Sequence, residues 1–67
     1  MERKQFVETT LSETIATAAS WIDHLEYDEA NEAVIIVCNN GYTYRVNVAC
    51  DSNTAVISDV IKEVSRH

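Results

Sequence analysis

Three side chains near the middle of the sequence are of the types that build hydrolytic triads: Ser20, Asp23 and His24. A triad needs a nucleophile, a base and an orienting acid in a fixed geometry, with donors for an oxyanion. These three are close neighbours in sequence, and no such donors accompany them. Glu26 and Asp28 share one side of a predicted strand, but nothing beside them would separate their pKa values into an acid and a base. We therefore predict that the protein is not an enzyme.

The cysteine and histidine residues do not form a metal or disulfide pattern. Cys38 and Cys50 are predicted on adjacent strands, out of register and on opposite faces, whereas a disulfide needs Cα atoms within roughly 7 Å. His24 and His67 have no ligand spacing to either cysteine, and the segment 28–32 lacks the glycine and oxygen spacing of a calcium loop. We expect unbonded cysteines, no metal, no cofactor and a cytoplasmic location.

Charge is distributed unevenly along the chain. The 67 residues include eleven acids and five bases, for a net charge of −6, yet residues 33–50 contain one charge, Arg45. Repulsion at long range disfavours binding to a nucleic-acid backbone, so the acids predict a protein partner with a basic surface. The alternative is that they only keep the protein soluble. The candidate partner-binding residues are Asp23, Glu26, Asp28, Glu29 and Glu32.

A β-hairpin is predicted at residues 33–48. The segment 33–38 is rich in β-branched residues, and Asn40-Gly41 fits a two-residue type I′ turn before the strand 42–48. This turn would place Val37 opposite Tyr44 and Ile35 opposite Val46 on one apolar face. The other face would be half apolar and incompletely covered, which predicts a homo-oligomer. Its candidate self-association residues are Val34, Ile36 and Cys38.

A further strand and two helices complete the predicted α+β fold. The strand covers 21–27, and Thr10 with Glu13 fits a capping box for a helix over 11–20 that presents Leu11, Ile15 and Ala18 or Ala19. A C-terminal helix follows the capping residues 51–53 and carries a stripe of apolar residues: Val56, Ile57, Val60, Ile61 and Val64. We expect one domain over 1–67, a three-stranded antiparallel meander with both helices packed on it. No apolar run suits a membrane span or a signal peptide.

Residues 20–64 resemble the KTSC domain, a short bacterial and phage module. The resemblance is carried by Ser20 with Ile22, the pair at 27–28, a hydrophobic strand, a glycine turn at Gly41, the Tyr-x-Tyr motif at 42–44 and a closing helix over 54–65. It implies a β-β-β-α unit over 20–67 preceded by an N-terminal extension over 1–19. It also implies RNA binding, the role suspected for that family.

Two side chains of the hairpin are candidate ligand contacts in that alternative. Tyr42, near the turn, could stack on a base, while Tyr44 is expected to be buried. Arg45 could clasp a phosphate, or pair with an acid of a neighbouring strand such as Asp23. These residues would form an RNA- or nucleotide-binding site.

The function we infer first is a small acidic protein-binding module. Its concrete form is a phage-encoded inhibitor of a bacterial defence complex, similar to an anti-CRISPR protein, with carboxylates in the place of nucleic-acid phosphates and the host cytoplasm as its location. The RNA- or nucleotide-binding domain is the alternative. A purely structural component of a phage or its host is the third possibility.

Overall fold

The computed structural model describes residues 2–49 and 52–67, and its elements confirm the predicted small α+β fold. Strands β1 (Ile22–Asp28), β2 (Ala33–Cys38) and β3 (Thr43–Asn47) form an open antiparallel sheet in the order β1-β2-β3. A helix precedes the sheet and another follows it. Our predictions for Cys50 and Asp51 concern positions outside the described residues, whereas Cys38 is a free, buried cysteine.

The N-terminal helix begins eight residues earlier than predicted. It runs through α-helical Arg3–Gln5, π-helical Phe6–Leu11 and α-helical Ser12–Ala18. The capping box is therefore wrong, since Thr10 lies inside the helix and its carbonyl accepts the Thr14 hydroxyl. The predicted core positions Leu11 and Ile15 are buried, and of the alternatives Ala18 and Ala19 the first is exposed and the second packs half-buried against the core. Val7, also fully buried, adds a third core position one to two turns upstream.

The hairpin turn has three residues instead of two, and this shifts the register by one. The Cys38 amide donates to the Tyr42 carbonyl (2.8 Å) and the Gly41 amide to the Cys38 carbonyl (3.0 Å). Gly41 has a φ of 91°, while Asn40 keeps a negative φ, so the type I′ turn that needs both is absent. Three-residue hairpin loops of this kind typically consist of a type I turn followed by a left-handed residue, which is the place of Gly41 here. Ile36 pairs with Tyr44 and Ile35 with Arg45, not Val37 with Tyr44 and Ile35 with Val46.

The one-residue shift reverses which side chains of β2 share a face with the core residues of β3. The prediction that Val34, Ile36 and Cys38 form a self-association surface is wrong, because they are 0%, 0% and 6% exposed and belong to the core of the single chain. Ile35 and Val37 lie instead on the opposite face, half-buried, beside Arg45.

The C-terminal helix, Asn53–Arg66, closes the core as predicted. The Ser52 hydroxyl caps it by accepting the Ala55 amide (3.2 Å). Val56 and Val60 are fully buried, whereas Ile61 at the edge of the stripe is 48% exposed. Among the described residues, no helix has the length and apolarity to cross a membrane.

The N-terminal helix also covers one edge of the sheet. The Ser12 hydroxyl accepts the Leu25 amide (2.8 Å), and the Glu8 carboxylate accepts the Tyr27 amide (3.0 Å). These two amides of β1 point away from β2, so the helix side chains replace a missing neighbouring strand. The π-helical turn, in which the Ser12 amide donates to the Val7 carbonyl five residues back, spaces Glu8 and Ser12 for alternate residues of β1.

Candidate partner-binding surface

The acidic residues predicted to bind a partner occupy β1 and the loop that joins it to β2. Asp23, Glu26 and Asp28 belong to β1, and Glu29 and Glu32 to the four-residue loop after it. The side chains of Asp23 and Glu26 are 60% and 57% exposed, and both loop acids are exposed as well. Asp28 is less open, at 30%. We call the other four residues the acidic surface: Asp23, Glu26, Glu29 and Glu32.

His24 lies between two of these carboxylates. Its Nδ1 is 2.6 Å from Asp23 Oδ2 and its Nε2 is 2.8 Å from Glu26 Oε2. A neutral imidazole donates from one nitrogen only, so both contacts are hydrogen bonds when His24 is protonated. The hydrogen bond to Glu26, followed by that to Asp23, raises the pKa of His24 above its ordinary value of 6.5, against a small opposing effect of burial.

A β-bulge in β1 precedes this arrangement. Ile22 pairs with Cys38 and His24 with Val37, so two residues of β1, Ile22 and Asp23, oppose one residue of β2. The extra residue interrupts the alternation of side chains between the two faces of β1. His24 interacts with carboxylates alone, and no hydroxyl or thiol among the described residues bonds to it.

Asp28 is turned toward the fold and organises the loop. Its Oδ1 accepts the Asn31 amide (3.2 Å), and its Oδ2 accepts Asn31 Nδ2 (2.8 Å) and Arg45 Nη2 (2.9 Å). The hydrogen bonds from Asn31, with a smaller effect of the Arg45 charge, hold the pKa of Asp28 below its ordinary value. Of the two roles predicted for Arg45, the structure has the salt bridge, although its partner is Asp28 and not Asp23.

The two tyrosines of the hairpin differ as predicted. Tyr42 is 68% exposed, the most open large hydrophobic residue among those described, whereas Tyr44 is half-buried. The ring of Tyr44 stacks on His67 at 3.9 Å, and Trp21 meets it edge-on at 6.3 Å. Tyr44 therefore has protein contacts on its ring, while Tyr42 is open to a ligand or partner.

Sequence reasoning missed three contributors to this region: His24 as part of the acidic cluster, Asn31 as a partner of Asp28, and Glu8 as a cap on β1. The first had a visible signal, because an imidazole flanked by acids at positions −1 and +2 can meet both where a strand is bulged. Glu8 had none, since its contact with Tyr27 spans 19 residues and depends on where the helix packs.

One depression lies on the surface away from the acidic surface. This depression on the N-terminal helix is lined by Thr10, Glu13, Thr14 and Thr17, all from that one helix, so it is an open surface and not an enclosed pocket. Within residues 2–49 and 52–67, no three histidine, cysteine or acidic side chains come together as metal ligands.

Comparison with known proteins does not assign the chain to a family. No protein-family model, no curated protein and no solved structure matches it. The resemblance of residues 20–64 to the KTSC domain therefore stays a prediction.

Proposed function

We propose that this protein is a non-catalytic module that binds a partner protein with a basic surface through its acidic surface. The observation that supports the proposal is that Asp23, Glu26, Glu29 and Glu32 are all exposed, and that none of them is paired with a lysine or arginine within the described part of the chain. Asp23 and Glu26 share His24, whereas Glu29 and Glu32 have no ion pair among the described residues, so these exposed carboxylates are available to a basic partner molecule. Electrostatic complementarity of this kind gives fast, specific association.

Asp28 has a different role in this proposal from the one first predicted. Both of its oxygens are occupied by Asn31 and Arg45. It therefore shapes the loop that presents Glu29 and Glu32, and it contributes less as a direct contact. A substitution of Asp28 would change the loop as well as the charge, so it is a poor probe of binding.

The concrete form of the proposal is an inhibitor, encoded by a phage, of a bacterial defence complex that handles nucleic acid. Carboxylates spaced along β1 and its loop would occupy positions that phosphates otherwise take. An excess of duplex DNA or RNA should then displace the protein from its partner. A partner that binds DNA and this protein at the same time would contradict this form while leaving the binding module intact.

Charge reversal tests the acidic surface directly. The double variant Glu29→Lys/Glu32→Lys changes the charge by the same amount as a matched control, Glu2→Lys/Glu13→Lys, on exposed acids of the N-terminal segment. With a partner captured from nuclease-treated bacterial lysate, we expect the loop variant to bind more than about fivefold more weakly and to associate more slowly, with a reduced salt dependence. An equal effect of both variants would mean that net charge alone acts, and would contradict a site at the loop.

The RNA- or nucleotide-binding alternative rests on one observation, the 68% exposure of Tyr42. Against it, Arg45 is already engaged with Asp28 at 2.9 Å. The two functions predict opposite results. If the ligand is a nucleotide, Arg45→Ala abolishes binding and Glu29→Lys leaves it unchanged or improves it. If the ligand is a basic protein, Glu29→Lys weakens binding.

A further inference from the structure

The two edges of the sheet differ in whether their outward backbone groups are hydrogen-bonded. On β1, the outward amides of Leu25 and Tyr27 are occupied by side chains of the N-terminal helix. On β3, the bonds from Cys38 to Tyr42 and from Val48 to Glu32 fix which residues point toward β2. Because an antiparallel ladder alternates, the amides and carbonyls of the odd-numbered residues Thr43, Arg45 and Asn47 point outward. No hydrogen bond to these backbone groups occurs within the described part of the chain.

An open edge of this kind is a template for another strand. The charges of the hairpin indicate which kind of strand can pair with the β3 edge. Although the net charge is −6, residues 33–50 contain no carboxylate, and their one charge, Arg45, is bonded to Asp28 of the same chain. At this edge two copies of the chain can therefore meet without placing carboxylates of their hairpin strands opposite one another, because the acidic surface lies on β1 and on the β1–β2 loop.

We propose that β3 pairs with β3 of a second copy, antiparallel, to join the two sheets into one of six strands. Hydrogen-bonded pairs must come from the outward residues, and pairing Arg45 with its own counterpart would oppose like charges. The geometry points to the register in which Arg45 lies opposite Thr43 of the other copy. Tyr44 then lies opposite its counterpart as a close, non-hydrogen-bonded pair, and Tyr42 lies against Val46 of the other copy. This register covers Tyr42, which is 68% exposed in the single chain.

The pairing ends at two copies, because the other edge of each sheet is blocked by Glu8 and Ser12. The interface between the two β3 strands is small. We therefore expect weak dimerisation, with a dissociation constant on the order of 100 µM. This inference concerns a different surface from the proposed function. It can fail while that function stands, and the reverse is also true.

Amide hydrogen exchange and sedimentation, measured on the full chain from about 10 µM to about 1 mM, test the proposal. We expect the mass to rise from 7.5 kDa toward twice that value. The amides of Thr43 and Arg45 should become protected over the same range, whereas those of Leu25 and Tyr27 should be protected throughout. A mass that stays at 7.5 kDa at 1 mM would overturn the proposal, and so would protection of Thr43 and Arg45 that appears only when a foreign extended peptide is added.

Two probe variants and one control test whether the contact between the two copies lies at β3. Thr43→Pro removes an amide that β2 does not use, so the hairpin keeps its ladder but each copy loses a bond to the other. We expect dimerisation to weaken by roughly tenfold or more, while Thr43→Val, which keeps the amide, leaves it unchanged. Tyr42→Thr provides a second probe that does not touch the backbone, and it should also weaken the dimer. A dimer that survives both Thr43→Pro and Tyr42→Thr must use another surface, and would overturn the assignment to β3.

Discussion

At the scale of single residues, His24 contacts two residues of the acidic surface, and histidine is the side chain whose charge ordinarily changes near neutral pH. Its two nitrogens face Asp23 and Glu26 at 2.6 Å and 2.8 Å. Protonated His24 neutralises part of the charge that these two acids carry. Deprotonation of His24 therefore makes the region around Asp23 and Glu26 more negative as the pH rises.

The raised pKa of His24 gives a prediction for stability against pH. Because the folded pKa lies above the unfolded value of about 6.5, the contribution is fully present below pH 6.5 and is lost as the pH rises through the folded pKa. The pair is exposed to solvent, so the contribution to the free energy of unfolding is under about 1 kcal/mol. An NMR titration should show a lower His24 pKa in Glu26→Gln than in the wild type. Glu29→Gln, which removes an acid that does not contact His24, is the control, and an equal decrease there would refute the specific contact.

At the scale of elements, the sequence predicted each helix and strand but not how they align. The β-branched run at 33–38 and the capping serine at 52 were sufficient for β2 and the C-terminal helix. The sequence signal at the turn was not sufficient to fix its length. Asn-Gly fits both a two-residue type I′ turn and, with Asn39, a three-residue turn with a left-handed glycine. A difference of one residue moved Val34 and Ile36 from a predicted surface into the core. The start of the N-terminal helix was missed because Thr10 and Glu13 fit a capping box, whereas Thr10 lies inside the helix.

Ser12 connects the N-terminal helix to the edge of the sheet, and its loss should be costly. Ser12→Ala leaves the buried Leu25 amide without an acceptor, which costs about 1–3 kcal/mol of the free energy of unfolding. Thr14→Ala is the matched control on the same helix, since the exposed Thr14 hydroxyl only returns to the carbonyl of Thr10. That change should be close to neutral or slightly stabilising. Urea denaturation of both variants measures this difference in stability. Equal midpoints for the two variants would contradict a role of Ser12 in stabilising the β1 edge of the sheet.

At the scale of the whole molecule, the N-terminal segment is part of the fold and not an appendage to a β-β-β-α unit. Its residues Val7, Leu11 and Ile15 are between 0% and 6% exposed and pack in one cluster with residues of all three strands and the C-terminal helix. The packing of Leu11 and Ile15 was predicted from the sequence, whereas the resemblance of residues 20–64 to a shorter domain implied that residues 1–19 are an extension. The candidate site depends on the same packing, since β1 carries the acidic surface on a strand whose edge the helix holds.

Removal of residues 1–19 should therefore abolish folding. Truncating a buried leucine or isoleucine to alanine costs about 2–5 kcal/mol, and Leu11 and Ile15 would be lost together with the buried Val7 and the two caps on β1. A chain of this size has a total stability of only about 3–10 kcal/mol, so the remainder cannot stay folded. Circular dichroism of residues 20–67 should show no cooperative thermal transition, whereas the full chain should show one. Adding a peptide of residues 2–19 should restore strand signal, and the same peptide with Leu11→Asp should not, because a carboxylate at that position cannot enter the core. A cooperative transition in residues 20–67 alone would show that the β-β-β-α unit is self-sufficient and that the N-terminal helix is an addition to it.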